Sequence, residues 1–148
     1  MEFNKKVLII GYGSVSRCTV PILLKHIQIP REKITIMDFE DKAAEVRKYA
    51  PQGIRFVRQK ITPQNMAKVL SQHLEPGSLL IDLAWNIDCC DIVQWCHDHQ
   101  VLYVNTSVEV WDSFSERFTA SPYQKSLYAR QMKLRALTKS WKNATTFV

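Results

Sequence analysis

The feature that most constrains this chain is a glycine turn set between two different hydrophobic periodicities. Val7-Leu8-Ile9-Ile10 is a continuous apolar run with no polar alternation, the pattern of a strand covered on both faces. It runs into Gly11-Tyr12-Gly13-Ser14-Val15-Ser16, and from Ser14 to about Ile27 the apolar residues recur at helical spacing. That strand–turn–helix context separates a dinucleotide-binding turn from a chance glycine pair. Gly11 permits the tight turn, and Gly13, lacking a side chain, lets the backbone approach a pyrophosphate. The helix start, at Ser14 and Val15, directs free N–H groups and a positive dipole end at the phosphates. The third position of such turns is ordinarily Gly or Ala, for close helix–strand contact; here it is Ser16.

The same alternation continues along the chain. Strands are expected over 5–10, 33–38, 54–57, 78–83 and 100–105, each followed by a helical pattern. Val15, Cys18, Ile22 and Leu23 are expected to form the buried face of the first helix, with Pro21 kinking or shortening it. A polar helix should span 41–50 and stop before Pro51. Thr62 is expected to cap a helix with Pro63 in its first turn, running to about Leu74. Asp88 to His99 reads as the fourth helix, and 106–120 as a loop. Ser121, with Pro122 behind it, should cap a long helix reaching about Trp141, and 144–148 looks like a further strand beginning. Strands alternating with helices imply an α/β fold with a parallel sheet covered on both faces. Right-handed crossovers then give the order 3-2-1-4-5 of a doubly wound, Rossmann-type sheet. A single such domain is expected over 4–120. Residues 121–148 would supply a basic helix and the start of a sixth strand, cut short before any second domain.

Candidate ligand residues follow from that sheet, because ligands lie beyond the carboxyl ends of its strands. Asp38 ends the second strand, 27 residues after Gly11. A carboxylate there can accept hydrogen bonds from an adenosine ribose and would repel a 2′-phosphate. Phe39-Glu40-Asp41 adds acid rather than arginine, so NAD is expected over NADP. Ala84-Trp85-Asn86 closes the fourth strand; Ala84 and Asn86 are expected at the cofactor, while Trp85 reads equally as wall or packing. The fifth strand delivers Asn105-Thr106-Ser107-Val108-Glu109-Val110-Trp111 to the same rim. Thr106 is expected at the cofactor. Glu109 and Trp111 offer a carboxylate and an indole face to a cation.

Composition narrows the class. No run of about 18 apolar residues exists for a membrane helix, and the polar start at Met1-Glu2-Phe3-Asn4-Lys5-Lys6 does not read as a signal peptide, which makes the cytoplasm the default expectation. The four cysteines contain no Cys-x-x-Cys pair, so Cys89-Cys90 to His99 reads as buried thiols on a helix and no metal is expected. Residues 1–116 carry 13 basic and 14 acidic side chains, a net of −1, whereas 117–148 carry seven basic and none acidic, a net of +7. The overall +6 therefore reports a basic tail, and without a nucleic-acid motif it does not call for a nucleic-acid partner.

Val7 to Val15, Ile34 to Asp38, Leu80 to Leu83 and Tyr103-Val104-Asn105-Thr106-Ser107-Val108-Glu109-Val110-Trp111 together resemble the N-terminal domain of bacterial homospermidine synthases, in the saccharopine-dehydrogenase-like group. The resemblance spans roughly residues 4–142 and is most specific in the Thr-Ser-Val-Glu-Val-Trp stretch. Two positions depart from the pattern: Val110 stands where the family has Pro, and Ser16 where it has the third Gly. The resemblance implies an NAD-dependent aminobutyl transfer between putrescine molecules, in which hydride is stored transiently and returned. It implies cofactor contacts at Gly11, Gly13 and Asp38, and an ammonium contact at Glu109 near the reacting amine, with Trp111 beside it. It also implies a second domain beyond residue 148 that completes the substrate site and a homodimer. These 148 residues alone are then expected to bind cofactor with little turnover. A saccharopine-type amino-acid dehydrogenase would call for an arginine to grip a carboxylate, where the rim offers Glu109. A nucleotide-binding module without chemistry and an adenosylmethionine-dependent methyltransferase share the glycine turn and remain as alternatives.

Overall fold

A computed structural model describes residues 1–112, 121–142 and 146–147. The strands are β1 Val7–Ile10, β2 Ile34–Asp38, β3 Arg55–Arg58, β4 Leu79–Asp82, β5 Leu102–Asn105 and β6 Thr146–Phe147. The helices are α1 Ser14–His26, α2 Ala43–Tyr49, α3 Met66–His73, α4 Cys89–Asp98 and α5 Leu127–Thr138, with a 3₁₀ turn at Arg31–Lys33. All pairings are parallel, in the order β3-β2-β1-β4-β5-β6. The expected doubly wound α/β sheet is present with the sixth strand attached, Tyr103 pairing with Thr146 and Val104 with Phe147.

The unalternating strands are buried on both faces, and the core accordingly divides in two. Val7, Ile9, Ile34, Ile36 and Ile81 face one cluster with Tyr12, Val20 and Val46. Leu8, Ile10, Met37, Leu80 and Tyr103 face the other, with Val69 and Leu70 of α3 and Ile92, Val93 and Cys96 of α4. Each fully buried aliphatic side chain contributes about 1.5–3 kcal/mol of transfer free energy.

Three local expectations change. The buried residues of α1 are Ser16 and Val20, with Leu23, Leu24 and Ile27 packed partly against the core. Val15 is 53% and Ile22 60% exposed, and Cys18 is exposed. The glycine turn explains the difference: its third position must meet the strand, and this rotates Ser16, Val20, Leu23 and Ile27 inward as one stripe. Pro21 lies inside α1 without ending it before His26. The long helix begins at Leu127, not after Ser121. Ser121 and Gln124 cap each other, Gln124 N–H donating to Ser121 Oγ at 3.3 Å and Ser121 N–H to Gln124 Oε1 at 2.7 Å. That closes a single turn. Ser126 then takes extended dihedrals and accepts from Ala129 N–H at 3.2 Å, starting the helix proper. Thr62 likewise heads a turn closed by Asn65, whose Oδ1 accepts from Thr62 N–H at 2.8 Å, and α3 starts only at Met66. The expected loop over 106–120 is described as far as 112; its remainder, Arg117 of the basic tail included, lies outside the described residues, as do 144, 145 and 148 of the last expected strand.

Candidate dinucleotide-binding site

The turn after β1 is fixed by backbone bonds on both sides. Gly11 N–H donates to Met37 O at 2.8 Å, and Leu83 N–H to Ile10 O at 2.9 Å. Tyr12 is buried, and its backbone N–H donates to Asp38 Oδ2 at 2.6 Å. Asp38 Oδ1 accepts from Glu40 N–H at 2.9 Å. The two sequence signals are thus one physical unit, in which the β2 carboxylate holds the middle of the glycine turn. A carboxylate has about four lone-pair positions, so Asp38 retains acceptor capacity beyond these two bonds.

The glycines have different reasons to be glycine. Gly11 has φ +86°, and a Cβ there would stand 2.9 Å from Ala84 N and from Leu83 C and O. Both the left-handed dihedral and the closeness of β4's exit exclude a side chain. Gly13 has φ −87°, and a Cβ there would meet no protein atom within 4 Å. Among the described residues, packing therefore does not require glycine at 13, and the backbone there is open to close approach from outside. Gly13 also precedes α1 as its N-cap, with no side-chain cap on the N–H groups that follow. The residues present fit a bound phosphate.

Gly11, Gly13, Asp38, Ala84 and Asn86 come together in one cleft of about 530 Å³, whose walls also include Phe39, Lys60 and Ile61. The cleft runs across the carboxyl ends of β3, β2, β1 and β4. Ser14 and Val15 stand at the start of α1 and Thr106 past β5, and none of the three lines it. Trp85, left open by sequence, is 59% exposed and does line the cleft, so it is wall and not core. Asn86 beside it has φ +61°, a conformation uncommon for residues with a side chain and concentrated at ligand sites. The surroundings of Asp38 are less acidic than its sequence neighbours imply. Lys42 and Lys60 line the cleft, and Arg58 Nε donates to Phe39 O at 3.4 Å. β3 brings two of these cations from some 20 residues away, which a local reading cannot register.

Glu109 and Trp111 stand apart from that cleft, on a segment laced to the start of α4. Glu109 O accepts from Cys89 N–H at 3.0 Å, and Glu109 Oε1 from Ser107 Oγ at 3.1 Å. Trp111 Nε1 donates to Asp91 Oδ2 at 2.6 Å, and Arg130 of α5 donates to Val108 O at 3.3 Å. The basic helix thus steadies the rim from behind. Sequence reasoning missed Asp82, at the end of β4. It is buried, accepts from Tyr103 Oη at 3.1 Å and from Ala84 N–H at 3.2 Å, and is pushed up to about 6, chiefly by desolvation. An acid closing an otherwise apolar strand was the available signal. Burial pushes the Cys89 thiol up to about 12 and that of Cys96 upward as well, so both stay protonated. Among the described residues no three His, Cys, Asp or Glu side chains converge on a metal position, and no helix is long and apolar enough to cross a membrane.

Comparison with known proteins agrees with this geometry. The family model for the saccharopine dehydrogenase NADP binding domain matches residues 7–148. The chain belongs to that family. Similar proteins include the homospermidine synthase of Blastochloris viridis, 28% identical over 145 residues. That match covers 96% of this chain and 30% of the relative. The homospermidine synthase of Mesorhizobium japonicum is 29% identical over 116 residues, which is 76% of this chain and 24% of the relative. The crystal structure of homospermidine synthase from Legionella pneumophila in complex with NAD superposes with a TM-score of 0.78 at 26% identity. It is matched over 95% of this chain and 28% of its own length. The chain therefore spans under a third of the length of each of these proteins.

Proposed function

We propose that these residues form the NAD-binding part of a homospermidine synthase, an enzyme of polyamine biosynthesis that transfers an aminobutyl group between putrescine molecules. The observation that carries the reading is Gly13: a glycine that no protein contact demands, at the uncapped start of α1, in a turn held by Asp38. In this reading Gly11 keeps β4's exit close to the turn, while Gly13 and the N–H groups of Ser14 and Val15 take the pyrophosphate. Asp38 uses its remaining lone pairs for ribose hydroxyls, which a 2′-phosphate would obstruct. Ala84 and Asn86 border the rest of the cofactor from the cleft wall, and Thr106 is assigned to it from past β5, beyond the cleft's lining. NAD held by these residues would supply reversible hydride acceptance, the chemistry that activates a primary amine.

Glu109 is the proposed contact to the reacting ammonium, and Trp111 a second, aromatic one. Cys89 N–H and Asp91 fix the two through backbone and indole. A carboxylate at this rim suits a diamine better than an amino acid. The remaining substrate walls and the homodimer contacts are assigned to the portion of the family members that this chain does not span, and residues 4–120 to the nucleotide domain.

Calorimetric titration with NAD and NADP, on the chain and on Asp38→Ala, tests the cofactor half. Saturable NAD binding, weaker NADP binding and a loss of affinity in the variant are expected. Equal affinity for NADP, given Lys42 and Lys60 in the cleft, would overturn the ribose assignment. Tighter binding of adenosylmethionine than of NAD would overturn the whole reading.

A further inference from the structure

Asp82 has no part in the reading above; it lies outside the cleft's lining but ends the strand whose next residues, Leu83 and Ala84, line it. Asp38 and the glycine turn occupy one side of the switch point, at β2 and β1. The other side is the pair of strand ends at Asp82 of β4 and Asn105 of β5, which are register partners. In a doubly wound sheet, the half of the cofactor beyond the pyrophosphate crosses toward these ends. In NAD that half carries the nicotinamide, cationic when oxidised and neutral when reduced.

Among the described residues, several groups bear on Asp82. β5 presents Tyr103, whose hydroxyl donates to Oδ2, and α4 presents the thiols of Cys89 and Cys96. The rim presents Glu109, and β1 places Ile10 beside Asp82 in register. Among the described residues, the charge that bears on this carboxyl is Glu109, which is also negative. A carboxylate 5% exposed and held by two neutral donors is an unbalanced charge in a medium where charges act strongly. Through Ala84 N–H it is tied directly to the wall of the cofactor cleft.

We propose that Asp82 is a specificity-determining counter-charge for the nicotinamide end of the site, favouring the oxidised, cationic cofactor over the reduced one. This rests on the NAD-binding reading and adds to it a redox preference set by one buried side chain. Tyr103 is the positioning residue that keeps the carboxylate turned and ionised. The ionised form persists above about pH 6, and the preference persists with it.

The test measures NAD⁺ and NADH affinities by calorimetry at pH 8 and pH 5, on the chain, Asp82→Asn and Tyr103→Phe. Asparagine can keep both hydrogen bonds, accepting from Ala84 N–H and donating to Tyr103 Oη. At pH 8 the NAD⁺/NADH affinity ratio is expected to fall on the order of tenfold in Asp82→Asn, the size of one partly screened charge interaction. At pH 5 the unaltered chain should converge on the variant, and Tyr103→Phe should move that convergence to higher pH. The unaltered chain carries the pH half of the test even if a variant folds poorly. If both cofactors bind and the ratio is the same in Asp82→Asn and at both pH values, the counter-charge is refuted while the NAD reading stands. If neither cofactor binds, both fall together.

Discussion

Replacing each glycine of the turn by alanine should produce opposite phenotypes. In Gly11→Ala the new methyl lies in a left-handed backbone, φ +86°, and 2.9 Å from three backbone atoms of Leu83 and Ala84. The dihedral costs about 1–2 kcal/mol, and overpacking against atoms that cannot rotate away costs about 1–3 kcal/mol more. The sum, about 2–5 kcal/mol, is a large share of the roughly 5–15 kcal/mol that stabilises a domain. It corresponds to a melting temperature lower by roughly 4–20 °C at this chain length. In Gly13→Ala, φ −87° suits alanine and the methyl meets nothing within 4 Å. The weaker N-cap costs about 0.5–1 kcal/mol, and reduced freedom of the unfolded chain offsets about 0.4–1 kcal/mol. Stability should stay within about 1 kcal/mol. The methyl instead blocks charge-assisted bonds from the turn to a phosphate, worth about 1.5–3 kcal/mol, so NAD affinity should drop roughly 10- to 150-fold. Urea unfolding and NAD calorimetry on both variants separate the two effects. A Gly13→Ala chain that unfolds as easily as Gly11→Ala, or that binds NAD undiminished, would refute this division of labour.

Two further outcomes concern buried polar groups. Ser16 is fully buried and its hydroxyl has no hydrogen-bond partner among the described residues. Ser16→Ala should therefore raise the urea midpoint by the equivalent of about 1 kcal/mol, and a drop would mean that the hydroxyl is satisfied. Asp82 is raised from 3.8 to about 6 by burial, a difference worth about 3 kcal/mol. For an acid shifted upward, this stability is fully present below the unfolded value and is lost as pH rises through about 6. Asp82→Asn should therefore gain stability relative to the unaltered chain as pH goes from 4 to 8, read from paired melts, and a constant difference across that range would sink the assignment.

The one-dimensional pattern was enough to order the elements. The apolar runs at 7–10 and 79–81 and the β-branched run at 34–37 are short and bounded by turn residues, as strands buried on both faces are, and the helices between them leave little choice but parallel crossovers. Gly11, Gly13 and Asp38 were legible because a tight turn, an open backbone and a strand-end acid each need a particular residue type at a particular place. Local cap signals were less decisive. Ser121 and Thr62 begin single turns, and a second capping residue, Ser126 or Asn65, starts the helix proper.

What depends on neighbours distant in sequence was decided only by the tertiary structure. The inward face of α1 follows from Ser16 pressing on the sheet, so Val15 and Ile22 point outward despite their hydrophobicity. Trp85 became a cleft wall because β4's exit passes beside Gly11. Glu109 and Trp111 are held by the start of α4, more than 15 residues earlier. Asp82 acquires its character from burial and from the hydroxyl of Tyr103 on the neighbouring strand. Periodicity is a property of consecutive residues and survives in one dimension, whereas burial and charge proximity exist only once separate strands and helices lie side by side.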